Sequence, residues 1–583
     1  MTIFNILSLI GGIALFLYGM KVMGQALEKA AGIKLKSILS KLTDSPLKGL
    51  MLGIGVTAVI QSSAATTVMV VGFVNSGLMQ LQQAVGVIMG ANIGTTITAW
   101  ILSLSGIEGG SVLIQLLKPT SFTPILALIG IALQMFSKRE RKRDIGTVLL
   151  GFAVLMFGMD TMSSAVKPLA DVPEFANLFS AFSNPFLGIL VGLAIAAIVQ
   201  SSSASVGILQ ALSSTGGVTF GSALPIIMGQ KVGACVTTLI SSIGTNKNAR
   251  RAALVHLYFN IIGTVICSAV FYSLNAIFKF EFLDGTIDRL GIAFMHTLLN
   301  LIYTAIIMPF SRQLLMLTAI TVPSDTDEQP VALLDERLIA TPSIAVEHSR
   351  NITCDMANLV RDNIKLAISL LYDYSDKNFK TVKQMEEQSD KYEDSLNNFL
   401  VQLSMKQLSE ESGQEVYELL HNITDFERIS DHAVNIAESA REIAQKKLVF
   451  SKEAAHDLEI MTNAVKEIVD LAVDSFINES VETAARVEPL EEVIDVLNAS
   501  AKSAHVKRLQ EGGCTIDLGF VFNDLMTNIE RVSDHCSNIA VCQIELQNGN
   551  FDLHAYLSEL KAGNDETFGR IYKEYKQKYS LPK

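Results

Sequence analysis

The sequence predicts an all-α protein in two parts: a polytopic membrane protein with inverted repeats and re-entrant hairpins, then a soluble tandem three-helix-bundle domain. Three observations predict it. Long apolar segments run up to about Leu317, among them Ile3 to Tyr18, Ile145 to Phe157, Leu254 to Leu274 and Leu290 to Pro309. Past Pro323 the chain is charged and helix-periodic, with no further run of membrane length. Finally, each half repeats itself: "AVIQSSAATTVMVVG" (58 to 72) returns as "AIVQSSSASVGILQA" (197 to 211), and "FERISDHAVNIAE" (426 to 438) as "IERVSDHCSNIAV" (529 to 541).

The composition sets the broad class. At 583 residues and 49% hydrophobic, the chain is long enough for at least two domains and too apolar for an ordinary soluble protein. No basic region precedes the first apolar segment and no small-residue cleavage site follows it before Lys21, so it reads as a retained span. Six scattered cysteines without CxxC pairs fit a reducing compartment. The net charge of −12 argues against a nucleic-acid partner, because a phosphate backbone is held by a basic face.

In the membrane half, one shift of 139 residues carries Gly19-Met20 to Gly158-Met159, Pro46 to Pro185, Gln61 to Gln200 and Ile88-Met89-Gly90 to Ile227-Met228-Gly229. Duplication explains the shared register, since selection for apolarity alone would not preserve spacing. Basic short loops stay in the cytoplasm, which places "KRERKR" (138 to 143), "KNARR" (247 to 251) and Arg312 inside. Three apolar stretches lie between the first two of these loops, so one of them enters and leaves on the same side. The Gln-Ser stretch, the most polar and flanked by Gly and Pro, is the candidate. If the first Gln-Ser stretch is re-entrant too, with spans near 3 to 23, 84 to 104 and 122 to 136, the N-terminus is outside. Lys29, Lys34, Lys36, Lys41 and Lys48 then face the cytoplasm, and the equivalent loop with Lys167, Asp171 and Glu174 faces outward. The two repeats are thus predicted to be upside down relative to one another.

Broken helices of this kind offer free N–H groups and a partial positive charge to an anion, while Ser, Thr, Gln and Asn oxygens suit a dehydrated sodium ion. The alternative is that the hydroxyls bond back to their own helices or hold helices together. "QSSAATT" and "QSSSAS", each followed some 25 residues later by "MGANIGTT" or "MGQKVGAC", together with "HLYFN" (256 to 260) and "HTLLN" (296 to 300), resemble the sodium-dependent phosphate cotransporter family. The resemblance covers nearly all of residues 1 to 318. It implies phosphate and sodium sites lined by Gln61, Ser62, Ser63, Gln200, Ser201, Ser202 and Ser203, supported by Asn92, Thr95 and Thr96, with Thr66 in the same cluster. Lys231 and Ala234 depart from that pattern, where Asn and Thr are expected. Lys231 either serves the site as a fixed cation or reaches along its hairpin to water. The spans hold almost no carboxylate, which favours sodium over proton coupling. Asp160, opposite Lys21 in register, reads as flanking. His256 with Asn260 and His296 with Asn300, one turn apart, read as structural pairs rather than proton relays.

Residues 319 to 343, with three prolines and several acids, read as a linker. From Ile344, six long amphipathic helices are expected, broken near 376 to 378, 409 to 413, 449 to 451, 478 to 480 and 512 to 513. A shift of 103 residues relates the two "SDH" copies and predicts two three-helix bundles. Glu427 with Asp431, and Glu530 with Asp534, project from one helix face four residues apart and could bind a divalent metal; the alternative is a solvated acidic face relieved by Arg428 and Arg531. His432 and His535 turn about 100° away from those acids. Residues 344 to 548 resemble the PhoU family of phosphate-response regulators, which implies metal at these Glu-xxx-Asp motifs and cytoplasmic control of phosphate flux. Residues 549 to 583 read as a tail whose short basic helix is solvated.

The expectation is therefore a multi-pass protein of the cell (inner) membrane, in contact with lipid. It moves inorganic phosphate with sodium, with a cytoplasmic bundle as regulator; a homo-oligomer is left open. A phosphate exporter or other oxyanion carrier, and a non-transporting membrane sensor of phosphate or metal, are the alternatives. No phosphate loop, nucleophile elbow or HExxH marks an enzyme.

Overall fold

The computed structural model describes residues 3–39, 45–77, 79–106, 119–172, 174, 179, 181–323, 334–406, 408–511, 514–547 and 566–581. Lys41, the centre of the linker (324–333), the Gly512-Gly513 break and the first part of the tail (549–565) lie outside these residues, as do the side chains of Lys34, Lys36 and Asp171. Two compact units divide the chain, Met1–Ile344 and Ala345–Lys583. Among the described residues the only strand-like feature is a single bridge between Thr219 and Thr286.

The first unit contains α1 (Ile3–Leu39), α2 (Pro46–Ile60), α3 (Ser63–Asn75), α4 (Leu81–Ser103), α5 (Pro119–Phe136), α6 (Glu140–Val166), α7 (Pro185–Val199), α8 (Ser202–Ser213), α9 (Phe220–Gly233), α10 (Cys235–Ser241), α11 (Lys247–Phe278), α12 (Arg289–Ile307) and α13 (Ser311–Thr321). Among the described residues, six apolar segments are long enough to cross a membrane: 3–27, 81–103, 141–170, 220–241, 247–278 and 289–321. The helices flanking the Gln-Ser turns are not. At 15, 13, 15 and 12 residues they reach only about 18–22 Å at 1.5 Å per residue, short of a hydrocarbon core about 30 Å thick.

Each pair of short helices is a hairpin. Gly53 packs on Val87 and Gly90 on Leu50, so closely that a Cβ on either glycine would overlap the facing carbonyl, and these contacts run α2 parallel to α4. The hairpin enters beside the start of α4, where Gly86 faces the Pro46 carbonyl. It leaves there too, because α3 ends at Asn75 and α4 begins at Leu81. Shifted by 139 residues, Gly192 faces Ile226 and Gly229 faces Ile189, and α7 runs beside α9 in the same way.

The first helices of the two repeats, α1 and α6, pack reciprocally. A Cβ on Gly12 would meet the Gly158 carbonyl and one on Gly19 the Gly151 carbonyl. Since Gly12 corresponds to Gly151 and Gly19 to Gly158, each contact is the other's counterpart, the pattern of a two-fold axis. Equivalent helices α1 and α6 therefore run antiparallel. Their glycines allow backbones to touch, as apolar helices in lipid require. Around this seam Phe16, Met23, Leu155, Met159 and Met162 form a core with Leu102 and Ala204.

Near the end of the first unit, Glu336–Ala340 form a short 3-10 turn capped by Asp335. The predicted linker is therefore docked at its end: Asn75 Nδ2 donates to Asp335 Oδ2 (2.8 Å), Arg337 donates to the Ile243 carbonyl (2.9 Å), and Leu338 is buried against Gly72.

The second unit continues α14 (Pro342–Leu370) and holds α15 (Asp376–Ser404), α16 (Glu410–Lys446), α17 (Lys452–Asn478), a single turn α18 (Val481–Ala484), α19 (Val487–Gln510), α20 (Ile516–Gln547) and α21 (Glu566–Lys578). The 103-residue shift superposes α14, α15 and α16 on α17, α19 and α20. Where α16 meets α20, the His432 and His535 rings stack at 5.7 Å. Their Nδ1 atoms lie against Asn528 Oδ1 and Asp425 Oδ1, each at 2.8 Å. These partners are themselves counterparts by the same shift, so this contact is also reciprocal. The tail helix α21 is not the solvated end expected. It buries Ile571 and Tyr575, and Lys578 bonds Glu467 at 2.7 Å; its basic residues hid an apolar stripe that needs a partner.

Candidate functional site

The hairpin turns are built alike. Gln61 and Gln200 each end a helix in the left-handed region, at φ 58° and 54°. The following serines, Ser62 and Ser201, are extended and cap the next helix by accepting from Ala65 N (3.1 Å) and Ala204 N (3.2 Å). The left-handed residue breaks the apolar helix, and the serine restarts it. The result is a helix N-terminus between two apolar helices, with its first N–H groups without intrahelical partners.

The two N-termini meet. Ser63 Oγ and Ser202 Oγ lie 3.1 Å apart, joining residues that correspond by the 139-residue shift. Beside them, Thr67 Oγ1 contacts Thr238 Oγ1 (2.9 Å) and Thr57 donates to Thr66 (3.0 Å). Gln61 is buried and its Oε1 accepts from Thr98 Oγ1 at 2.9 Å. Gln200 is exposed, with Thr237 Oγ1 3.5 Å from its carbonyl. Ser203 is buried and Ser202 half-buried.

Other predicted residues are occupied locally. Thr95, Thr96 and Asn92 donate to carbonyls of their own helix, at Ala91 (2.9 Å), Ile93 (2.8 Å) and Ile88 (2.9 Å). That leaves oxygen lone pairs, suited to a cation rather than an oxyanion. Lys231 is 4% exposed, and its ammonium donates to Asn300 Oδ1; it does not reach water along the hairpin. The His-Asn pairs meet through the backbone and not ring to carboxamide: Asn260 Nδ2 donates to the His256 carbonyl (3.0 Å) and Asn300 Nδ2 to the His296 carbonyl (2.8 Å). His256 Nδ1 turns instead to Thr238 (3.1 Å). Asp160 lies exposed on α6. Sequence reasoning missed Thr67, Thr98 and Thr238, because a threonine in an apolar helix bonds its own backbone as readily as a partner and carries no signal until that partner is known.

In the second unit the predicted acids separate. Glu427 and Asp431 lie beside Arg428, at 3.5 and 3.8 Å. Burial first, then Asp431, with Asp390 and Glu393 adding to it, pushes the Glu427 carboxyl up to about 7. Glu530 pairs with Lys502 at 3.3 Å, and Asp534 with Arg531 at 3.4 Å. Among the described residues, the carboxylates close enough to share an ion are Glu491, Asp495 and Asp534, whose oxygens lie within 4.8 Å of one another, and Glu488, Glu491 and Glu492. Of the four predicted ligands only Asp534 falls in such a group. A neighbouring helix, α19, supplies the rest. Glu491 Oε2 is buried without a partner, and burial followed by Glu488, Asp495, Glu492 and Asp534 pushes its carboxyl up to about 9. Carboxylate oxygens grouped in this way fit a divalent cation held by oxygen. The signal was in the sequence: "EEVID" (491 to 495) repeats the Glu-xxx-Asp spacing, as does "EEQSD" (386 to 390) on α15.

Comparison with known proteins follows this division. The Na+/Pi-cotransporter family profile matches residues 15–164 and again 154–296, and the PhoU domain profile matches 353–440 and 458–542. A protein of Escherichia coli (strain K12), YjbB, named as a candidate inorganic phosphate exporter, is 24% identical over 93% of this chain and 98% of its own. A phosphate-specific transport system accessory protein, PhoU homolog 1 of Thermotoga maritima, is 28% identical over 24% of this chain and 60% of its own. The rat sodium-dependent phosphate transport protein 2A is 36% identical over a short stretch, 16% of this chain and 15% of its own. With both copies of its polar hairpin matched, the chain belongs to the Na+/Pi-cotransporter family in its membrane half, joined to a PhoU-domain half.

Proposed function

We propose that this chain carries inorganic phosphate across the inner membrane together with sodium, at the point where the two hairpin tips meet. Residues 1–318 form the carrier as inverted repeats (about 1–137 and 140–318), residues 344–548 the regulator, and the N-terminus is outside. The observation that carries the reading is the Ser63–Ser202 contact. It brings together two helix N-termini, whose N–H groups and dipoles favour an oxyanion. Around them stand hydroxyl and carboxamide oxygens that can replace sodium's water. The antiparallel run of α1 and α6 supports inversion, and the basic loops support a cytoplasmic bundle. In that bundle Glu491, Asp495 and Asp534 would hold a divalent metal, which supplies positive charge that draws α19 and α20 together. Control of flux by this unit rests on the PhoU match.

Labelled-phosphate uptake into proteoliposomes, with sodium replaced by choline or potassium, tests the proposal. Uptake that stops without sodium supports it. Equal uptake in all three salts rejects the coupling, and no flux in any salt leaves the sensor reading. Export is a second reading, favoured by the E. coli relative matched along nearly its whole length. A carrier's ligands do not set direction, so release from phosphate-loaded vesicles under an outward gradient measures it separately.

A further inference from the structure

Lys231 is the counterpart of Asn92, by the same shift that pairs Ser63 with Ser202. In the first repeat this position holds a neutral carboxamide whose oxygen is free to accept. In the second it holds a side chain that carries its own charge. The surroundings are built for a cation. The Lys231 ammonium donates to Asn300 Oδ1 and lies 4.8 Å from the centre of the Tyr303 ring and 6.0 Å from that of Phe259.

That cage is held in place. Phe259 and Tyr303 meet edge to face at 6.2 Å, and Thr264 bonds the Tyr303 hydroxyl at 3.0 Å. Gly263 is the residue that admits the ring, since a Cβ there would overlap it. No salt bridge to Lys231 exists among the described residues. A buried ammonium served by a neutral oxygen and two ring faces is normally costly, and it persists where the charge is used. Beside Lys231 in sequence, Gln230 donates to the Ser205 carbonyl of α8, the helix that Ser202 begins, at 3.0 Å.

The geometry points to Lys231 as a tethered cation, taking by covalent attachment the place that a mobile sodium ion would take at the second repeat. Each phosphate then moves with one sodium ion fewer than in a carrier with Asn at this position. The inference rests on the proposed sodium-coupled transport of phosphate and specifies its stoichiometry.

The test compares wild type, Lys231→Asn and Lys231→Arg in proteoliposomes, counting labelled sodium against labelled phosphate in the same vesicles. Lys231→Asn is expected to gain one sodium per phosphate, with a steeper sodium dependence, and Lys231→Arg to keep the wild-type ratio. An unchanged ratio in Lys231→Asn overturns the inference. Should Lys231→Asn be inactive, equilibrium binding of labelled sodium to the purified full chain decides instead: one additional ion per chain in the variant supports the role, and equal occupancy overturns it. Wild-type phosphate flux indifferent to sodium rejects the coupled reading itself, while the binding measurement still judges Lys231.

Discussion

Ser63 and Ser202 are the residues on which the transport reading turns, since their hydroxyls meet across the repeat axis. A hydrogen bond to a charged ligand contributes about 1.5–3 kcal/mol. Ser63→Ala and Ser202→Ala should therefore each weaken phosphate uptake on the order of tenfold or more, read as a rise in the half-saturating phosphate concentration. Gln61 separates backbone from side chain. Its φ of 58° suits glycine, so Gln61→Gly should keep the thermal stability of the protein while losing the carboxamide that accepts from Thr98. The expected loss lies in sodium dependence. A purely structural Gln61 would leave the sodium concentration for half-maximal uptake unchanged.

Among the helices, glycine placement fixes how each hairpin sits. Gly229 faces the Ile189 carbonyl with no room for a methyl group, whereas Gly55 on α2 has open space around it. Gly229→Ala should push α9 from α7, lowering the melting temperature in detergent and abolishing uptake. Gly55→Ala should leave uptake intact and add up to about 1 kcal/mol of helix stability. In the bundle, α19 brings Glu491 against Asp534 and Asp495. Its carboxyl is raised above the ordinary value of 4.5 to about 9, so between those pH values the folded state keeps a proton that the unfolded state has lost. Stability of the metal-free chain must then fall as pH rises through that window. Thermal unfolding at pH 5 and 8.5 measures the slope, and Glu491→Gln should flatten it. Added divalent metal, binding the folded form, should raise the wild-type melting temperature more at the higher pH.

For the whole molecule, the docked turn at Asp335 to Ala340 sits at the end of α3 opposite Ser63, and the chain passes from it through Thr341 into α14. Asn75 links three parts of this end: its side chain donates to Asp335 and accepts from Asn246 N, and its carbonyl accepts from Asn246 Nδ2, each at 2.8 Å. Arg337→Ala removes the bond to Ile243 and the ion pair with Asp335. Amide exchange in residues 335 to 340 should rise about tenfold or more, the equivalent of about 1.4 kcal/mol. Unchanged exchange would mean that burial of Leu338 and the Asn75–Asp335 bond hold the turn without Arg337.

The membrane half and the helical bundle, both internal repeats, the polar hairpins and the six long bundle helices were legible in the bare sequence, because periodicity and spacing are local or register properties. It also named Gln61, Ser62 and Ser63 with their counterparts. It did not place Glu491 with Asp534, dock the turn at Asp335, bury the face of α21 or enclose Lys231 between Asn300 and Tyr303. Those depend on which helix faces which. In lipid and in a bundle alike, that choice is made by backbone approach at glycines and by pairing of buried polar groups, and neither leaves a regular period in the chain.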